Sequence, residues 1–242
     1  MGSMFIEGQK MRIPSYLVIL LTLTIAAPLQ AADSGGGGSM GPQSQQSKKR
    51  LTPEEKAVKS YNAGIAHRDK AAKIEQKAIN ETNEKKLAKL KKKIAKEYGR
   101  AIDDYEKATG YYPRFYQAHN SLGYSLRKVG RYEESLAAYN VALDINPVFD
   151  EAIEYRGEAY LGLNRLNEAK EAYMELFKHN REFADQLMAA MNSWVAARRD
   201  DAGDLDTVVV EQFAEWVAQR NELASYVRPS DEAIRPRWTE ST

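Results

Sequence analysis

Apolar residues recur along this chain at spacings of three and four, in paired stripes. Ala71, Ala72, Ile74, Ala78 and Ile79 form one stripe, and Leu87, Leu90, Ile94, Tyr98 and Ala101 form the next, with Asn80, Thr82 and Asn83 as a turn between them. Further on, Leu187, Ala190, Met191 and Trp194 carry a stripe. Val210, Phe213, Ala214 and Val217 carry another, beyond a loop from Asp200 to Asp206 that contains Gly203. Such spacing gathers side chains on one face of a helix, and the alternation of a half-buried strand is missing. Val208-Val209-Val210 alone suggests a strand, but its helical setting argues against one. The pattern predicts an all-α protein whose first helix starts at Thr52-Pro53-Glu54-Glu55.

The stripes also repeat. A shift of 34 residues superimposes Tyr98, Tyr132 and Leu166; Ala101, Ser135 and Ala169; Tyr105, Tyr139 and Tyr173; and Ala108, Ala142 and Leu176. Upstream it aligns Ala118 with Ala152, Gly123 with Gly157, Leu126 with Tyr160, and Pro113 with Pro147. A small residue followed one turn later by a large one lets two helices approach and fills the groove beside the contact. Gly123 and Gly157 play the small part on the partner helix, and Gly130 and Asn164 fall where a helix must stop and turn. A fixed period of this length marks a stack of helical pairs.

These residues resemble the tetratricopeptide repeat family. Ala118-His119-Asn120-Ser121-Leu122-Gly123-Tyr124, continued by Tyr139, Ala142 and Pro147, matches its consensus closely. Residues 150–180 match with two departures: Arg156 stands in place of a leucine, and Arg181 in place of the closing proline. The resemblance implies an α-solenoid of three to four helix-turn-helix units and a non-catalytic scaffold. The first unit departs most. Tyr61-Asn62-Ala63-Gly64-Ile65-Ala66 reads as its small-residue core, yet Gly64 precedes Ala101 by 37 residues where Gly123 precedes Ser135 by 12. The 25 extra residues keep the apolar stripe, so both helices are expected to lengthen by about three turns into a projecting antiparallel hairpin. The expected divisions are that hairpin over 51–113, two repeat units over 114–181, and capping helices over 182–227.

The ends read differently. Lys10 and Arg12 flank the apolar run Leu17 to Ala27, which Pro28 ends, and Ala31 offers a small residue before a cut. Eleven residues fall short of the roughly 20 that span a bilayer, so residues 1–32 are expected to be a cleaved export signal. That predicts a periplasmic or secreted protein with no stable membrane anchor after cleavage; an uncleaved inner-membrane anchor is the alternative. Residues 33–50, with Gly35 to Gly38 and a Gln/Ser stretch, read as a flexible linker, and 228–242, with Pro229 and Pro236, as a disordered tail.

Composition removes several chemistries. Cysteine is absent, which excludes disulfides, thiol catalysis and lipidation at a cysteine. A formal net charge of +1 gives no global field for nucleic acid, and none is expected as a partner. No nucleophile motif, phosphate loop or metal-ligand spacing occurs, so neither an enzyme nor any cofactor or metal is expected. His67 and His119 fall on first helices of their units and read as packing or surface residues.

What remains is binding. In the family, one face of each unit's first helix lines a groove. Placed on this sequence, that face carries Asn120, Tyr124, Arg127 and Lys128 in one unit, Glu151, Glu154 and Glu158 in the next, and Asp185 and Asn192 in the one after. Only the first set suits a carboxylate. The glutamates suggest a partner peptide or helix of basic or mixed charge lying across Glu154 and Glu158. The alternative is an assembly factor of an envelope complex working through the lysine-rich hairpin, where Lys85, Lys86, Lys89, Lys91, Lys92, Lys93 and Lys96 crowd one helix. Those lysines read either as a contact for an acidic partner or as a solvated helix face.

Overall fold

Thr52 closes the start of the first helix. Its hydroxyl accepts from the Glu55 N–H at 3.2 Å, and the Glu55 carboxylate accepts from the Thr52 N–H at 2.8 Å. Two donors that a helix start leaves unpaired are met reciprocally, and Pro53 sits in the first turn, where no N–H is needed. The computed structural model describes residues 50–227, and over them the chain forms eight helices and no strand. They are α1 (Pro53–Ile79), α2 (Glu84–Tyr111), α3 (Tyr116–Lys128), α4 (Tyr132–Ile145), α5 (Asp150–Gly162), α6 (Leu166–His179), α7 (Arg181–Asp200) and α8 (Thr207–Val227). The expected export signal, all but the end of the linker, and the C-terminal tail lie outside the described residues. Among the described residues no helix is long and apolar enough to cross a membrane.

Each helix packs on the next, and α5 also touches α3 and α7. That arrangement is a solenoid of antiparallel pairs, with first helices lying side by side. The first pair is the long one: α1 has 27 residues and α2 has 28, against 13 and 14 in α3 and α4. The turns from α3 to α4 and from α5 to α6 pass through left-handed backbone at Gly130 (φ 82°) and Asn164 (φ 58°). Glycine takes that conformation without penalty, and asparagine is among the few other residues that tolerate it.

The period has a packing cause. A Cβ on Gly64 would lie 2.6 Å from the Tyr105 ring, and one on Gly123 would lie 2.6 Å from the Tyr139 ring. Each tyrosine therefore lies flat on bare backbone, fully buried. The Ser135 hydroxyl donates to the Gly123 carbonyl at 2.8 Å and ties α4 to α3 at the same point. The third unit breaks the rule. Gly157 faces Leu187 of α7, while Tyr173 packs on Phe177 and on Trp216 of α8. The core from Leu136 to Val217 is continuous as a result, and Trp194 anchors it by donating to the Leu161 carbonyl at 2.9 Å. Val208, Val209 and Val210 are helical within α8. Arg156 sends its guanidinium to Asn140 on α4, at 3.2 Å.

Candidate interaction face

The first helices α1, α3 and α5 present a run of aromatic and charged side chains. Tyr124 of α3 and Tyr155 of α5 meet with ring centroids 5.2 Å apart, and the Arg127 guanidinium lies 5.4 Å from the first ring and 5.2 Å from the second. Arg127 also makes an ion pair with Glu158. Burial opposes the charge of Arg127, but Tyr139, Glu154 and Tyr124 more than offset it, so its pKa rises and it stays a cation. Lys128, next on α3, turns the other way, to Glu75 of α1 at 2.9 Å, where the Tyr98 hydroxyl also donates.

The glutamates are not an exposed strip. Glu154 is 1% exposed and Glu158 6%, whereas a partner lying across them, as the sequence suggests, needs them at the surface. The correction has a physical reason: Arg127 reaches across from α3 and balances Glu158, and the Tyr124–Tyr155 pair roofs the helix surface. Glu154 feels Arg127 through space but makes no direct bond to it. Burial, outweighing the pull of Arg127 and helped by Glu151, pushes its carboxyl up to about 8. Burial likewise raises Glu151, against the Tyr155 hydroxyl and Arg68. Both Glu154 oxygens, Glu158 Oε1 and Asn120 Oδ1 are buried and find no hydrogen-bond donor among the described residues. A buried polar atom left unpaired costs about 1–3 kcal/mol; Arg127 Nε and the Tyr139 hydroxyl are unpaired there too, but the acceptors outnumber them, so this cluster is suited to receiving a donor from outside.

The predicted site residues divide. Tyr124, Arg127, Glu151, Glu154 and Glu158 lie together where α3 and α5 meet, and Asn120 is buried one turn before Tyr124 on α3. Asp185 and Asn192 on α7 serve other neighbours. Asn192 donates to the Met188 carbonyl and accepts from Asn221 of α8 at 3.0 Å. Asp185 lies toward α6, where its charge, after burial, raises the Tyr173 hydroxyl.

Two residues of the face escaped the sequence reading. Arg68 and Tyr61 come from α1; Arg68 lies near Glu151, and the Tyr61 ring packs at a tilt against Phe115, with centroids 4.8 Å apart. Their signal was present. Arg68 follows Gly64 by four residues as Arg127 follows Gly123, and each arginine lies beside the tyrosine that covers its glycine. The inserted residues displaced α1 from the 34-residue register and hid the equivalence.

Residues 95–148 and 156–182 match tetratricopeptide repeat models. Among solved structures, the first TPR domain of Spaghetti (RPAP3) bound to the HSP90 peptide SRMEEVD is 20% identical, covers 55% of this chain and 94% of that one, and superposes with a TM-score of 0.38. The TPR2B domain of yeast Sti1, in its pHsp70 complex, is 12% identical over 68% of this chain and 98% of that one, with a TM-score of 0.36. The Sgt2 TPR domain from Aspergillus fumigatus is 16% identical over 78% and 95%, with a TM-score of 0.38. No curated protein matches the chain. Residues 95–148 and 156–182 are thus tetratricopeptide repeats, and the glycine–tyrosine contacts of the first two units give the packing that repeats.

Proposed function

We propose that the chain is a non-catalytic scaffold or adaptor of the cell envelope, holding a peptide or helix of another protein across the face of α1, α3 and α5. Tetratricopeptide repeats are protein-interaction modules, and two of the similar structures are complexes, one with an HSP90 peptide and one with pHsp70. Buried acceptors without donors point to the charge of that partner: Glu154 Oε1 and Oε2, Glu158 Oε1 and Asn120 Oδ1. The partner segment is basic or mixed in charge. A lysine or arginine from it meets acceptors that Arg127 leaves unfilled, displacing the Tyr124–Tyr155 roof as it enters. A carboxylate-ended partner gains only Arg127 and Arg68, each already committed to a neighbour in the protein.

The test is crosslinked capture of the partner from the protein's own compartment, followed by binding of its contacting segment to wild type and Glu154→Gln. Above about pH 8, where Glu154 is ionised, a buried charge-assisted bond is worth about 1.5–3 kcal/mol, so Glu154→Gln weakens binding roughly tenfold or more, and affinity falls with added salt. Unchanged affinity in the variant together with salt independence refutes a cation at this cluster.

A further inference from the structure

The charge of this protein is lopsided. Between residues 70 and 100 there are eleven lysines and arginines and four glutamates, a surplus of +7 in a chain whose total is +1, leaving −6 elsewhere. Most of that surplus sits on the long hairpin, away from the face of α1, α3 and α5 discussed above.

The hairpin also carries a cleft. It lies between α1 and α2, has a volume of about 370 Å³, and is lined by Ile74 and Leu90 with Lys70, Lys77, Lys93 and Lys96 around them, closed toward the solenoid by Glu97 and Arg100. Glu97 is the one carboxylate in the lining, and its charge is used up: Lys70 at 2.9 Å, His67 at 2.8 Å and Arg100 at 3.0 Å surround it. Lys77, Lys93 and Lys96 are left facing an apolar floor. Ile74 and Leu90 are half-buried, whereas Ile94 behind them is buried.

We propose that this cleft is a second docking surface, which takes an acidic amphipathic helix of a partner protein as the third member of a three-helix bundle. Shape and charge select that occupant together. The floor is recessed between two antiparallel helices, so a flat anionic membrane can meet the lysines but cannot reach Ile74 and Leu90. A helix can lie in such a groove, with an apolar ridge on the floor and carboxylates on either flank of the ridge. Lysines border the floor from both helices, Lys70 and Lys77 from α1 and Lys93 and Lys96 from α2, which matches glutamate or aspartate on both sides of one apolar stripe. No residue lining the cleft belongs to the face of α1, α3 and α5.

The probe is a synthetic helix of about four turns with leucine on one stripe and glutamate flanking it. A second peptide keeps the leucines and carries lysine flanks. Fluorescence anisotropy with the full chain is expected to show saturable binding of the acidic helix only. Reversing three rim charges (Lys77→Glu, Lys93→Glu, Lys96→Glu) weakens it at least about tenfold, because exposed pairs are individually small but add when all three change sign. Replacing Leu90 by Ser weakens it too, which a purely electrostatic contact would not do. Reversing Lys85, Lys89 and Lys92, exposed on the same helix but outside the cleft, leaves affinity within about threefold at physiological salt. Far-ultraviolet circular dichroism checks that each variant keeps its helices. Equal losses from both triple reversals, or no loss from Leu90→Ser, overturn the proposal in favour of diffuse charge. Binding to anionic vesicles without binding to the peptide overturns it in favour of a membrane, and rim-dependent self-association in light scattering overturns it in favour of a second copy.

Discussion

Replacing Gly123 tests the contact that produces the repeat. A Cβ there falls 2.6, 2.8 and 2.9 Å from three carbons of the Tyr139 ring, whereas carbon atoms in contact prefer about 3.5–4.0 Å. The ring cannot retreat, because Tyr139 is fully buried and Ser135, one turn earlier on α4, is bonded to the Gly123 carbonyl. Alanine must therefore push α3 and α4 apart, at an overpacking cost of about 1–3 kcal/mol. Against this, alanine gains about 1 kcal/mol over glycine in a helix interior, so Gly123→Ala is net destabilising by roughly 1 kcal/mol. Leucine adds three more carbons to the same space and no further propensity gain, and costs about 3 kcal/mol or more. Gly130→Ala is the comparison: nothing lies within 4 Å, and its only penalty is the left-handed φ of 82°, about 1–2 kcal/mol. Urea unfolding followed by circular dichroism should place Gly123→Leu well below Gly130→Ala. The sharper check is a double mutant. With Tyr139→Leu already in place, Gly123→Ala should become neutral or stabilising, since only the propensity gain remains. A similar loss in both backgrounds would refute the ring clash as the cause.

Three further outcomes follow from the charges and caps. Glu97 is held at about 2, first by the Lys70 bond and then by His67, against an ordinary 4.5. Its stabilisation is therefore present above about pH 4.5 and lost as the pH falls toward 2, so the stability gap between wild type and Glu97→Gln should close over that window. Glu154 works in the opposite sense. With a folded value of about 8 against 4.5 unfolded, it weakens the fold progressively as pH rises between those values, and Glu154→Gln should gain on wild type across the same range in denaturant titrations. Thr52→Ala removes one side of the capping box, costs about 1 kcal/mol, and should raise amide exchange in the first turn of α1 while leaving α5 to α8 unchanged.

The helices were legible because their physics is local. Stripe spacing, Gly130, Asn164 and the Thr52 start each act within a turn or two, and each is visible in the order of residues. The interaction face was legible only in part. Its residues on α3 and α5 follow the 34-residue register, but their exposure depends on partners a helix away. Nothing in the spacing of Glu154 and Glu158 shows that Arg127 reaches one and leaves the other to burial. Asn192 fits the register and yet bonds to Asn221, which belongs to a helix outside the repeat. Arg68 was hidden by the insertion, although its offset from Gly64 carries the same information as that of Arg127 from Gly123. Cross-helix pairing is a tertiary property, and the period encodes it only while every unit keeps the same length.

The uneven core predicts an uneven stability. From Leu136 to Val217 one continuous cluster includes Trp194, Phe213, Leu187, Met191 and Tyr173, all buried. By contrast, α1 buries only Ala57, Gly64 and Ala71, three residues with almost no side chain. At about 25 cal/mol per Å² of apolar surface, α1 gains little from burial compared with α7. The outer hairpin relies more on ionic contacts, Glu97 with Lys70 and Arg100 and Glu75 with Lys128. Contacts of that kind weaken with salt, whereas the α5–α8 core does not depend on them. In a stack where each unit leans on its neighbours, opening starts where the contacts are weakest. Amides of residues 70–79 and 84–92 should therefore exchange at least about a hundredfold faster than those of residues 187–195, a difference of about 3 kcal/mol in opening free energy. Raising ionic strength to about 1 M, where the Debye length shrinks to about 3 Å, should speed exchange in the hairpin and leave α7 unaffected. Equal protection in both regions would mean that the long pair gains its stability from packing after all, and that the ion pairs around Glu97 contribute only to the surface.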